Sequence, residues 1–267
     1  MRILIILIIH FTICFGWQFS CSAQTFSTKG QDFWLGFMQN YSGPTLSVYI
    51  SSDVNTSGMV EIPLAGWSQA FSVTANTTTQ VQVPTNLAEA TATEVIENKG
   101  IHVTANDPVN VYALNYEEYT SDAAVILPVP TLGIEYYAMA FNTAVLTGTL
   151  PSELLIVAAE NGTQVEITPS VNTMGGNSAG VPFTITLNQG EVYQVKADPG
   201  DLTGTRIIAV GSCKRFAVFS GNICTDVWGC NYCDHLYEQM YPVTTWGKGY
   251  ITVPFLTRNQ DLLLRLH

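Results

Sequence analysis

The chain has 267 residues, 47% of them hydrophobic, and a net charge of −11 from 21 acidic and 10 basic side chains. That length allows one large β domain or two ordinary ones. The acidic excess repels phosphate backbones and anionic lipid headgroups, so neither nucleic acid nor a membrane surface is an expected partner.

The first residues, "MRILIILIIHFTICFGWQFSCSAQTF", place Arg2 ahead of an apolar run from Ile3 to Phe15 and end on Cys21-Ser22-Ala23. A short cationic start, an apolar stretch and small residues before a cut form a secretory signal peptide, here over residues 1–23. A lipoprotein acylated at Cys21 is the alternative, and on either reading the protein is exported. No later stretch is long and apolar enough to span a bilayer, so no membrane insertion is expected after cleavage. The Asp-x-Asp-x-Asp-Gly spacing of a calcium loop is also missing.

From there, alternation with period two dominates. "LSVYI" (46–50), "QVQVP" (80–84), "IHVTA" (101–105), "VNVYALN" (109–115), "TQVEITP" (163–169), "FTITLN" (183–188), "VYQVKA" (192–197), "RIIAV" (206–210) and "RFAVFSG" (215–221) read as strands. Turn signals separate them at Asn106-Asp107-Pro108, Asn161-Gly162, Asn188-Gln189-Gly190 and Asp198-Pro199-Gly200. Helical periodicity is confined to Leu87–Glu97 and Asp234–Met240.

"MVEIP" (59–63) matches "QVEIT" (164–168), and the same offset lays "HVTANDPVNVYALN" (102–115) on "IIAVGSCKRFAVFS" (207–220). Apolar register is kept, with Val103 on Ile208, Val111 on Phe216 and Ala113 on Val218. The expected fold is therefore all-β, with two internally repeated, antiparallel, immunoglobulin-like β-sandwich units of about 100 residues each. They would occupy residues 24–145 and 146–267. A propeller-like arrangement is the alternative. The run "ITVPFLTRNQDLLLRLH" (251–267) begins as a strand and ends without a polar cap, so the second unit is expected to continue in a longer parent chain.

"GQDFWLGFMQN" near the mature start, "PVNVYALNYEEYTSDAAVILPVPTLGIEYY" (108–137), "SELLIVAAENGTQVEITP" (152–169) and "FAVFSGNICTDVWGCNYCDHLYEQMYPVTTWGKGYITVP" (216–254) together resemble the N-terminal domain of the IgGFc-binding protein family. "CDHLYEQMYPVTTWGK" is the most specific block. The resemblance implies an extracellular, non-catalytic β domain for binding or adhesion, of a kind that bacterial members carry as secreted or surface proteins. It carries over no antibody-contacting residue.

Cys213, Cys224, Cys230 and Cys233 remain after leader removal. An even count in an exported protein reads first as disulfides. Cys213 and Cys224 flank an extended segment of ~35 Å, whereas bridged Cα atoms lie within ~7 Å. Cys224 with Cys233 is therefore the preferred pair, leaving Cys213 with Cys230.

Two other readings compete. Zinc could take Cys224, Cys230, Cys233 and His235, but the second Cys-x₂-Cys knuckle is missing. A thiol nucleophile could use Cys233 with His235, although such partners usually come from separate elements. In the stapled reading, "DHLYEQM" forms a helical turn capped by Asp234, burying Leu236 and Met240 while His235, Glu238 and Gln239 face solvent. No metal or cofactor is expected.

The nucleophile-elbow, Walker, His-Glu-x-x-His and dinucleotide signatures do not occur. Glu117, Glu118 and Asp122 in "NYEEYTSD" offer carboxylates for a glycoside hydrolase, with a solvated loop face as the simpler reading. Aromatic residues beside turns carry more. Tyr116, Tyr119, Trp228 and Trp246 are the candidate ligand contacts, although core packing competes for such side chains. The expected function is a secreted or cell-surface, non-enzymatic binding or adhesion module whose loops contact an extracellular protein or glycan. An extracellular glycoside hydrolase and a structural spacer are the alternatives.

Overall fold

In a computed structural model, the described residues are 27–142, 150–226, 232–249 and 251. The expected leader with Cys21, together with Trp228, Cys230 and the closing run after Ile251, lies outside them.

Sixteen strands are described, and every ladder between them is antiparallel. The first half contains β1 (Gly30–Leu35), β2 (Thr45–Ser52), β3 (Thr56–Ile62), β4 (Trp67–Val73), β5 (Thr77–Val83), β6 (Ile96–Glu97), β7 (Ile101–Tyr116) and β8 (Asp122–Ile126). The second contains β9 (Glu135–Tyr137), β10 (Ser152–Ala158), β11 (Thr163–Thr168), β12 (Phe183–Leu187), β13 (Val192–Lys196), β14 (Arg206–Ala209), β15 (Phe216–Thr225) and β16 (Asp234–Gln239).

Seven strands of the first half share one sheet organised around β7. Its first part pairs with β1 and β3, its second with β2 and β8, and β4 and β5 close the outer flanks. The Thr79 hydroxyl donates to the Ser72 carbonyl across the β4–β5 hairpin at 2.6 Å, so the sheet curls into a nearly closed barrel. Asn106-Asp107-Pro108, which reads as a turn in the sequence, instead lies within β7. Proline, with no N–H, sits where the strand passes from one set of partners to the other, beside a register shift opposite Gly30 and Asp32.

The second half forms two sheets, β16-β15-β10-β13-β6 and β12-β11-β14-β9. The pairings β4-β3-β7-β1 and β5-β2-β7-β8 of the first half recur as β12-β11-β14-β9 and β13-β10-β15-β16. Gly162 at φ 64° and Gly190 at φ 84° occupy left-handed turn positions that favour glycine.

The layers differ from two side-by-side sandwiches in sharing one sheet. Leu155, Val157, Ala217, Phe219 and Tyr237 face the core of the curled sheet. Their alternating neighbours Leu154, Ile156, Phe216 and Val218 face a second core with Tyr136, Val165 and Ile207. All seven residues of β10 and all ten of β15 are therefore buried. Each fully buried Val, Leu or Phe contributes on the order of 2 kcal/mol. β15 and β16 pack closely at Gly221, where a Cβ would stand 1.7 Å from the Leu236 carbonyl oxygen.

Both helical expectations need correction. Residues 87–97 give only the end of a single turn, α1 (Thr85–Ala88), before the chain extends into β6. Ala90 N–H donates to the Phe37 carbonyl and Glu94 N–H to that of Gln194, so the backbone bonds across to neighbouring segments rather than along a helix. Residues 234–239 form β16, with His235, Tyr237 and Gln239 buried and Glu238 exposed. Period two overrides the Leu236/Met240 spacing because β15 presents a full ladder to the returning chain.

Candidate binding surface

Three connections are pinned together at one end of the molecule. The first, residues 40–44, precedes β2. The second, 117–121, joins β7 to β8, and the third is the corner between β15 and β16.

Asn40 forms the first pin. Its Nδ2 donates to Asn115 Oδ1 at 3.0 Å and to the Thr120 carbonyl at 2.8 Å. Asn40, Asn115 and Thr120 are all buried. Asn115 in turn donates to the Met38 carbonyl, so the network is anchored through side chains whose hydrogen-bonding capacity is used internally. The Thr120 hydroxyl lies 3.3 Å from Asn40 Oδ1 and 3.8 Å from Cys224 Sγ, which joins the second connection to the third.

Glu117 closes the loop geometry. Its carboxylate accepts from the Ser42 amide at 2.7 Å and from the Ser42 hydroxyl. Its amide donates to Ser121 Oγ, and its carbonyl accepts from the Ser121 hydroxyl at 2.6 Å and from the Thr120 amide at 3.2 Å. Asp122 accepts from the Tyr237 and Ala123 amides, tying β8 to β16. Burial is the main cause that raises the Asp122 carboxyl above its ordinary range. Although Glu238 as a residue reaches solvent, partial desolvation of its carboxyl and the nearby Asp122 push it up to about 7. Of the three hydrolase candidates, Glu117 and Asp122 thus hold backbone in place, while Glu118 is exposed.

Cys224 and Cys233 form a disulfide with Cα atoms 5.2 Å apart, closing the corner. Those two sulfurs are bonded to each other, which removes them from the zinc and free-thiol readings. His235 is buried, with Nδ1 2.8 Å from the Asn222 carbonyl. Desolvation lowers its pKa to about 4. The expected Cys213–Cys230 pair needs correction: Cys213 is a free, exposed thiol. It lies beyond the opposite end of the ten-residue β15 from the disulfide, a span of ~33 Å.

One residue from each pin, a tyrosine projects into solvent. Tyr41 follows Asn40, Tyr119 precedes Thr120, and Tyr232 precedes Cys233; Tyr119 is 88% exposed and Tyr232 84%. Tyr116, opposite Thr45 on β2, adds a fourth exposed ring. Tyr119 has φ 74°, in the left-handed region that a bulky side chain rarely occupies.

The candidate aromatic residues therefore divide. Tyr116 and Tyr119 share this end. Trp246 lies beyond the far end of β16, where its indole N–H donates to the Tyr241 carbonyl and its ring sits 5.8 Å from Tyr137. Trp228 is outside the described residues. Tyr232 was missing from the sequence candidates, although its place beside Cys233 in a stapled corner was the available signal. Core packing claims Trp34, which stacks on His102 with centroids 4.3 Å apart.

A many-stranded β scaffold with side-chain-pinned loops and outward tyrosines has the build of a ligand-presenting domain. Residues 122–265, more than half of the chain, match the IgGFc binding protein family profile. The chain belongs to that family. It is also 26% identical to the human IgGFc-binding protein over 253 residues, covering 92% of this chain and 4% of that much longer relative. No solved structure matches.

Proposed function

We propose that this chain is an exported, extracellular, non-enzymatic binding or adhesion module that contacts a protein or glycan through Tyr41, Tyr116, Tyr119 and Tyr232. The observation that carries the reading is Tyr119. A left-handed backbone costs a residue with a Cβ roughly 1–2 kcal/mol, and an aromatic ring in water gains nothing from burial. Stability alone favours glycine at this position. A strained, exposed ring on a loop locked at Glu117, Thr120 and Ser121 is instead suited to a partner, because the ordering cost is met before contact. Engagement of Glu117 and Asp122 with backbone amides favours binding over hydrolysis.

The name of the human relative makes immunoglobulin Fc one ligand to test, and family membership supports an extracellular partner. The recurring ladder order supports a duplicated origin, with each copy contributing eight strand segments and the second beginning near β9. The boundary then falls before Glu135, earlier than the sequence-based position at residue 145.

The test is a glycan and glycoprotein array, with immunoglobulin Fc included, probed with the secreted chain and with Tyr119→Gly. The variant is expected to lose at least tenfold in signal on any ligand found. Its melting temperature should hold or rise, since relief of the left-handed strain offsets the roughly 0.5–1 kcal/mol entropic cost of glycine. Equal binding by both proteins would sink the proposal.

A further inference from the structure

We propose that Lys196 and Gln39 become joined by an isopeptide bond that forms inside the folded chain, with Glu153 carrying the proton. Lys196 lies buried in β13, within the sheet shared by both cores. Its Nζ donates to Gln39 Oε1 at 2.5 Å and to the Thr91 carbonyl at 2.8 Å. The Gln39 amide N–H donates to Gln194 Oε1 of the same strand at 3.4 Å, so β13 holds the glutamine beside the lysine across 157 positions of sequence.

Glu153 stands opposite Lys196 in the β10–β13 ladder. It is fully buried, and neither carboxyl oxygen has a hydrogen-bond partner among the described residues. A buried ion pair in good geometry would set that carboxylate against the ammonium. Here the lysine nitrogen faces neutral carbonyl oxygens instead. Other nearby carboxylates are engaged: Glu89 accepts from the Asn40 amide, and Glu97 accepts from the Ala92 amide and pairs with Lys99. Burial raises the Glu153 carboxyl well above its ordinary range, and burial lowers the Lys196 amine against the opposing attraction of Glu153, Glu97 and Glu89. A neutral acid beside a neutral amine is the form that such an interior favours.

A neutral amine has the lone pair that a nucleophile needs. Lys196 Nζ forms a bond to Gln39 Cδ, and the Cδ–Nε2 bond breaks with its electron pair leaving on nitrogen. One Nζ proton passes through Glu153 to that nitrogen, which departs as ammonia. Glu153 ends as it began, and no oxidant or outside reagent is consumed. The fold supplies the proximity that such a reaction requires. Gln39 is half-buried, which gives ammonia a way out. The product ties the segment entering the Asn40 pin to the shared sheet.

The experiment digests the reduced, secreted full chain and maps its peptides by tandem mass spectrometry, beside Glu153→Gln and Lys196→Arg. The wild type should yield a branched peptide joining Gln39 to Lys196, lighter than its two parts by one ammonia. Intact mass alone does not decide, because leader removal after Ala23 would expose Gln24, whose cyclisation loses the same mass. Glu153→Gln keeps the shape of the neutral acid, and its far-UV spectrum should match that of the wild type. Its linkage should fall at least about tenfold, since general acid–base transfer is worth roughly 10²–10⁴ in rate. Lys196→Arg should give no branched peptide. Wild-type chain with both side chains unlinked would overturn the proposal, and that result needs no variant to fold. Equal linkage in the wild type and Glu153→Gln would overturn it as well, since a carboxyl that merely fills space would not move the yield.

Discussion

His235 lies buried on β16, two residues beyond the disulfide-bonded Cys233. Its Nδ1 faces the Asn222 carbonyl, its ring stacks near Tyr237, and its pKa is depressed to about 4 by burial. Between about pH 6.5 and 4 the unfolded chain binds a proton that the folded chain refuses. The native state therefore holds this stability above pH 6.5 and loses it as pH falls to about 4, by about 3 kcal/mol. Glu238 and Asp122 act in the opposite sense, because their raised carboxyls bind protons more readily when folded. The comparison is thus between the wild type and His235→Gln. Melting temperatures across pH 4–7 should show the wild type losing ground to the variant as acidity increases, and parallel curves would refute the assignment. The sequence shows His235 near the cysteines but places it toward solvent, because burial depends on the strand or helix assignment. Tyr116 and Tyr119 were readable as loop aromatics. Their grouping with Tyr41 and Tyr232 comes from Asn40, which bonds to Thr120 across 80 positions, and from Thr120, which contacts Cys224 across 104.

Alternation made several strands legible where one face meets a core. β5, β11 and β12 show the two-residue rhythm in both sequence and burial. β10, "SELLIVA", is buried on both faces and carries no such rhythm. β16 was harder still, since Leu236 and Met240 fit a helical spacing and its strand character depends on β15 as a template. The disulfide secures that hairpin. Closing a nine-residue separation removes unfolded-chain freedom equivalent to about 2–3 kcal/mol. The double variant Cys224→Ser/Cys233→Ser should lose that much in urea unfolding. It should also lose ligand binding, because Thr120 contacts Cys224. Unchanged stability would show that the corner is held without its crosslink.

At the scale of the molecule, the β16-β15-β10-β13-β6 sheet belongs to both cores. Neither half can open without exposing one of its faces to water. Tyr237 tightens the join, stacking on Phe219 at 5.4 Å and donating its hydroxyl to the Gly36 carbonyl at 2.9 Å. Calorimetry should therefore record one transition, with calorimetric and van't Hoff enthalpies in agreement. Phe219→Ala should destabilise by about 3–5 kcal/mol and move that single transition down without splitting it. Two separable transitions would mean that the halves fold independently. Matched apolar registers were readable in the sequence, but sharing of a sheet was not, because a buried strand looks alike whether its second face meets its own unit or the other.

Placement of the tyrosines beside the β15–β16 corner has a mechanical consequence. A tug delivered there by a tethered ligand runs lengthways along both strands. Antiparallel ladder bonds lie perpendicular to that direction. The corner draws β15 and β16 along as one hairpin, so the bonds that take the load are those from β15 to β10, which resist together in shear instead of being peeled apart one at a time.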